Sequence, residues 1–492
     1  MEEKYRIYPA KLKGQVAPPA ALSLACRAII CAAWGAGASG LTIGGGLARE
    51  LQIILGGVKA LGALWQKDGD RLEIIGCRRS DDRQRWAAKF NARADEAGGG
   101  SEQRDGNQRG ASQKDNLADK PLIPCGQYQA AFDLLLPLAL VRSGGGRFTG
   151  EGAWAGLDLE PYEKAFGGQA AVFRRQADSR QDKLDIEVQA LGQLVPGRFV
   201  LPPQVSPSFL SGLLLALPLL KGDSQVCLSE EPACRQELTM TLRLMAEFGC
   251  QVNCQGEREF FVPGRQRYQS RKFIIERDYG LAAYYLAAAA LGQEIEVQGL
   301  PGGSLQENRV ILDLLARQGK KPRQGPNGGV SFGGEQNEQT GPAVANTAAA
   351  APIAGEIIID CRLWPDLLPP LTLLAALTPG STRIQGPPAK EWKKALKEPE
   401  ERTLLLAIAE ELNKLGARIE VKEEGLLVEG VAKLTGGATV SSRGDYRIAL
   451  MLALAASLSE KPAVLEQPLA AEDSYPDFWQ DYRSLGGKVE VL

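Results

Sequence analysis

One arrangement of apolar and polar positions recurs along the chain. A run with apolar residues three and four apart is followed by a glycine, then by a short alternating run. It appears at 56–65 (GGVKALGALW), 242–253 (LRLMAEFGCQVN), 311–322 (ILDLLARQGKKP), 408–421 (IAEELNKLGARIEV) and 481–491 (DYRSLGGKVEV). The first spacing lays an apolar stripe along a helix, and alternation gives a strand one buried face. Gly62, Gly249, Gly319, Gly416 and Gly487 stand where a helix ends in a left-handed residue, which glycine adopts without a Cβ penalty. Strands are predicted directly after them, at 250–252, 418–421 and 488–491. The pattern predicts an α/β protein of repeated helix–strand units, none of which could bury its apolar face alone.

Two tracts break the pattern. Residues 94–121 are polar and rich in Gly, Gln and Asp, and 325–352 are rich in Gly, Asn and Ala. Neither carries enough apolar surface to offset chain entropy, so both read as flexible insertions. The remainder of the 492 residues suffices for two or three domains.

Composition narrows the chemistry. The chain is 44% hydrophobic and 24% charged, with a net charge of −2, which gives no field favouring nucleic acid or an anionic membrane. Its longest apolar runs, 209–220 and 281–291, are too short to span a bilayer, and the charged opening MEEKYRIYPAKLKG forms no signal peptide. Nine scattered cysteines without a CxxC pair read as reduced thiols, and Cys250 and Cys254 as core or strand residues. A soluble cytoplasmic protein is expected. There is no histidine, which removes Ser-His and Cys-His nucleophiles and His-ligated metals. Acid–base work would fall to carboxylates, lysines, tyrosines or cysteines.

Nine segments resemble EPSP synthase (5-enolpyruvylshikimate-3-phosphate synthase), in that family's order. They are PPAALSLACRAIICAA (18–33), IPCGQYQAAFDLLLPLAL (123–140), FTGEG (148–152) with LEPYE (159–163), LPPQVSPSFLSGLLLALPLLKGD (201–223), ERDYGLAAYYLAAAAL (276–291), IDCRLWPDLLPPL (359–371), AIAEELNKLGA (407–417), GDYRIALMLALAA (444–456) and DSYPDFW (473–479). The resemblance implies two similar domains, each of three βαβαββ units, with the active site in the cleft between them. One domain would be 17–275 and the other 1–16 plus 276–492. It also implies a monomeric transferase of the shikimate pathway of aromatic amino acid biosynthesis. That enzyme moves the enolpyruvyl group of phosphoenolpyruvate to shikimate 3-phosphate and releases phosphate, with no cofactor and no metal.

The resemblance assigns roles position by position. Ser23, Arg27 and Ser206 would be substrate contacts, and Arg447 would meet phosphoenolpyruvate. Asp366 and Glu398 would be the acid–base carboxylates; Lys397 would bind substrate, as would Arg402, which matches the arginine of the family's Lys-Glu-Ser-Asp-Arg run with one extra residue inserted before it. Read without the family, Arg27, Ser23 and Ser206 are helix-start and loop residues, Asp366 a helix cap, and Lys397 and Glu398 a solvated face. Other family positions are lost. Leu22 replaces a lysine, Cys26 a histidine, Gln129 a loop glycine, Asp133 an arginine, Ser208 a glutamine, Glu237 a tyrosine and Asp473 a lysine.

Charge decides what those losses mean. A unit charge pair at about 4 Å, with an effective dielectric of about 20, is worth roughly 4 kcal/mol. A reversal at Asp133 or Asp473 turns such an attraction into repulsion, and millimolar binding is itself worth only about 4 kcal/mol. The expectation is an inactive or strongly impaired copy. Alternatives are a non-catalytic binding or scaffold protein, an enzyme for a less charged ligand, an EPSP synthase with unrecognised substitutions, and the sister family acting on UDP-N-acetylglucosamine.

Overall fold

The computed structural model describes residues 3–77, 120–150, 157–167, 172–178, 185–230, 235–325, 328–332, 357–386 and 404–492. Lys397, Glu398, Arg402 and most of both predicted insertions lie outside these residues.

The repeated sequence pattern becomes one repeated sheet. Strand Leu122–Gly126 leads through helix Gln129–Ser143 to strand Gly145–Gly150, which pairs with it in parallel. A second helix, Glu160–Ala165, leads to strands Val172–Asp178 and Asp185–Leu191; the latter lies antiparallel to Gly145–Gly150 and the former takes the edge. The order across the sheet is therefore first, second, fourth, third. Strands Arg198–Leu201, Ser224–Leu228, Asn253–Gln255 and Glu259–Val262 repeat it, as do Ile357–Asp360, Ser381–Gln385, Arg418–Lys422 and Gly425–Glu429.

Three further sheets have the same order but borrow a strand from elsewhere in the chain. Lys272–Ile274 joins Ala38–Thr42, Lys13–Val16 joins Glu294–Val297, and Lys4–Tyr8 lies between Ala463–Glu466 and Lys488–Val491. Among the described residues there are thus six four-stranded sheets of one pattern, besides the small pair Leu434–Gly436 and Ser459–Lys461.

The chain divides into two compact units. One comprises Ser23–Ile43 and Glu50–Ile275; the other comprises Met1–Leu22, Gly44–Arg49 and Glu276–Leu492. Residues 17–22 and 44–49 therefore go with the second unit, not with 17–275 as the sequence boundary had it. Hydrogen bonds account for this: Ala21 N donates to Glu276 O, Asp278 N to Pro19 O, and Gly46 N to the Asp477 carboxylate.

The predicted helix ends hold at Gly62, Gly249, Gly319 and Gly416, all with φ between 76° and 106°. The fifth is corrected: Gly486 takes the left-handed place (φ 92°), not Gly487. Gly487 is needed for space, since a Cβ there would stand 2.2 Å from the Tyr482 ring. The strand expected at 250–252 begins instead at Asn253, because Cys250 N is still bonded back to Met245 O in the helix cap. Part of the tract 325–352 is also ordered: Val330–Ser331 is a strand paired with Val297. No described helix is long and apolar enough to cross a membrane.

Each unit carries helices buried on all sides. In the first, helices Gln129–Ser143 and Pro207–Ala216 lie against each other so closely that a Cβ on Gly212 would meet Asp133 O at 2.5 Å. This approach brings Ser206, at the start of one helix, to Asp133 on the other. In the second unit, every residue of helix Tyr279–Ala290 is buried, within a core shared with Leu368–Ala376 and Tyr446–Ser457.

Candidate active site

In the first unit the apolar stripe of helix Leu22–Ala33 carries Arg27 inward, leaving it 2% exposed. A buried guanidinium must have all its donors satisfied. Nε donates to Thr241 Oγ1 at 2.8 Å, and Nη1 to Ser23 O and Oγ at 2.9 and 2.7 Å. Nη2 donates to Ser211 Oγ at 3.1 Å and to the Glu237 carboxylate, with which it forms an ion pair. Ser208 Oγ donates to the same Glu237 oxygen at 3.2 Å. Glu50 lies nearby; burial pushes its carboxyl up to about 7, while the charge of Arg27 pulls it down.

Asp133, one helix away, is 1% exposed. The Tyr162 hydroxyl donates to one carboxylate oxygen at 2.6 Å and Ser206 Oγ to the other at 2.5 Å. Ser206 also caps its helix, accepting from Phe209 N at 3.0 Å. Gln129 donates to the Tyr162 hydroxyl at 3.1 Å. Burial pushes Asp133 up to about 6 against these hydrogen bonds, and the charge of Glu237 adds to the rise. The picture of Asp133 as a free, repelling charge is therefore corrected: its carboxylate is an internal tie.

In the second unit Asp445 caps helix Tyr446–Ser457 by accepting from Arg447 N at 2.8 Å. It also holds the Arg447 side chain, from Nε at 3.0 Å and Nη2 at 2.7 Å. Arg447 Nη1 lies 3.5 Å from Asp366 Oδ1 and donates no hydrogen bond among the described residues. Burial lowers the Arg447 pKa, but the hydrogen bonds and charge of Asp445 outweigh it and keep the guanidinium charged. Asp366 lies in the turn Pro365–Leu367 and makes no helix cap, unlike the plain reading of a Pro-Asp pair. Asp278, by contrast, caps helix Tyr279–Ala290; burial raises it to about 6, and the charge of Asp366 adds to that.

The fold thus joins Ser23, Arg27, Ser208 and Glu237 in one cluster, Gln129, Asp133 and Ser206 in a second around Tyr162, and Asp366 with Arg447 in a third. Asp473 is exposed at the end of the turn Pro468–Asp473, and Leu22 stands at the start of its helix, on the other side of the unit division from Ser23. Thr241, Ser211, Tyr162 and Asp445 had no assigned role from sequence. Thr241 carried a signal, standing one helical turn from Glu237.

A family model described as EPSP synthase (3-phosphoshikimate 1-carboxyvinyltransferase) matches residues 176–482. The 3-phosphoshikimate 1-carboxyvinyltransferase of Clostridium botulinum (strain Alaska E43 / Type E3) is 32% identical over 483 residues, covering 98% of this chain and 97% of that protein. The chain belongs to the EPSP synthase family. The Clostridioides difficile (strain 630) protein of the same name is 30% identical over 487 residues, with 99% and 98% covered. Among solved structures, EPSP synthase from Acinetobacter baumannii has a TM-score of 0.69 at 18% identity, covering all of both chains. The enolpyruvyl transferase NikO from Streptomyces tendae has a TM-score of 0.67 at 16% identity, covering 100% of this chain and 99% of the other. These two likenesses establish the enolpyruvyl transferase fold. Of the two matched arginines among the described residues, Arg27 is saturated by its own unit, and Arg447 is held by Asp445 with Nη1 ion-paired to Asp366.

Proposed function

We propose that this member of the EPSP synthase family keeps the fold but has lost, or retains only weakly, the transfer of the enolpyruvyl group from phosphoenolpyruvate to shikimate 3-phosphate. The observation that carries the reading is the saturation of Arg27. Its five N–H donors meet five acceptors of the same unit, one of them the Glu237 carboxylate. A substrate anion would have to displace Glu237 from that set, in competition with a carboxylate already held beside Arg27 in the same unit. The lost lysines at Leu22 and Asp473 supply no compensating charge. Asp366 would still stand beside Arg447 as the family's proton acceptor, yet a proton acceptor without a bound acceptor substrate has nothing to act on.

A second reading is a binding protein for a ligand with a single anionic group. Arg447, 27% exposed as a side chain and with Nη1 in only a 3.5 Å ion pair to the half-exposed Asp366, favours it. A coupled phosphate-release assay with both substrates, run beside a calorimetric titration of shikimate 3-phosphate, separates the possibilities. No release and no saturable heat with shikimate 3-phosphate is expected. Phosphate release on a timescale of seconds overturns the proposal, and saturable heat without release favours the second reading.

A further inference from the structure

The acceptors around Arg27 are not equivalent. The Ser211 hydroxyl donates to Pro207 O at 3.0 Å and the Thr241 hydroxyl to Glu237 O at 2.9 Å. Each hydroxyl has one hydrogen, so both turn lone pairs toward the guanidinium. Ser23 adds a carbonyl and a hydroxyl oxygen. These neutral groups orient Arg27 without cancelling its charge. Of its hydrogen-bond partners only Glu237 carries charge, and Glu237 is also the less buried member of the pair, 21% exposed against 2%. Ser208 steadies that carboxylate by donating to the oxygen that meets Nη2.

We propose that Glu237 is a built-in anion. Its carboxylate occupies the place on Arg27 where a phosphate or carboxylate from outside would bind, and an external anion enters this cluster only when Glu237 is removed or displaced. The inference rests on the reading above, that the cluster corresponds to an anion-binding part of the family's site. A carboxylate held on a helix beside its partner competes as an intramolecular ligand, so it excludes a free anion of similar intrinsic affinity. Glu237 is then a specificity-determining residue.

The test uses the full chain with formate and inorganic phosphate as probes and chloride at matched ionic strength as control. Glu237→Ala should melt below the parent and recover its Tm as formate or phosphate is raised, since a ligand of the folded state stabilises by mass action. Glu237→Gln keeps the size and a hydrogen bond and removes only the charge. It should fold readily and bind phosphate about tenfold or more tightly than the parent by calorimetry. Adding Arg27→Met to either variant should abolish the response. Equal phosphate affinity in the parent and Glu237→Gln, or a response that survives Arg27→Met, overturns the inference. Turnover by the parent would instead sink the functional reading, so the two failures are distinguishable.

Discussion

The Tyr162 hydroxyl donates a 2.6 Å hydrogen bond to the Asp133 carboxylate, which ties helix Glu160–Ala165 to helix Gln129–Ser143. Burial holds Asp133 at about 6, above its ordinary 3.8, with Glu237 adding repulsion and the Ser206 and Tyr162 hydrogen bonds opposing. The folded state thus binds the proton more tightly than the unfolded chain. Stability from this group is present at low pH and is lost as pH rises from about 4 to about 6. The gap is worth on the order of 3 kcal/mol. Urea denaturation from acid to neutral pH should show the parent losing stability relative to Asp133→Asn across that window, and no further change above it.

Arg27 and Glu237 should be strongly coupled. Arg27→Met or Glu237→Leu alone leaves a partly or fully buried charge unpaired, and each should cost about 3–5 kcal/mol. The double variant should cost less than their sum by about 1–3 kcal/mol. Chemical denaturation of the four proteins measures the difference. Strict additivity would show that the pair does not act as one.

The neighbouring glycines near the chain end should respond for different reasons. Gly486→Ala has room, its Cβ meeting Lys11 O at 3.6 Å, but must hold φ 92°, which costs about 1–2 kcal/mol. Gly487→Ala puts a methyl 2.2 Å from the ring of Tyr482, which is fully buried. It should lower stability by more than about 2 kcal/mol. Thermal melts rank the two.

Asp445 should act as a cap that also holds a side chain. Asp445→Ala removes the bond from Arg447 N and those from the guanidinium, with an expected loss of about 1–2 kcal/mol. Asp445→Asn keeps an acceptor for the backbone and should recover most of it by denaturant titration.

The sequence determined what is local. Apolar spacing marks the helices and alternation most of the strands, because each depends on neighbours a few residues away. The glycine ends follow from backbone geometry in the same way, and the one misplacement, Gly487 for Gly486, arose where two glycines stand together and only packing against Tyr482 separates them. Ordered segments also carried the EPSP synthase family likeness. What the tertiary structure decided is who meets whom. Glu237 lies 210 residues from Arg27, and on the first turn of its helix it reads as solvated charge. Asp133 turns inward only because Gly212 lets two helices touch and brings Ser206 within reach. Charges pair through space, and no periodicity along the chain records which ones the fold has brought together.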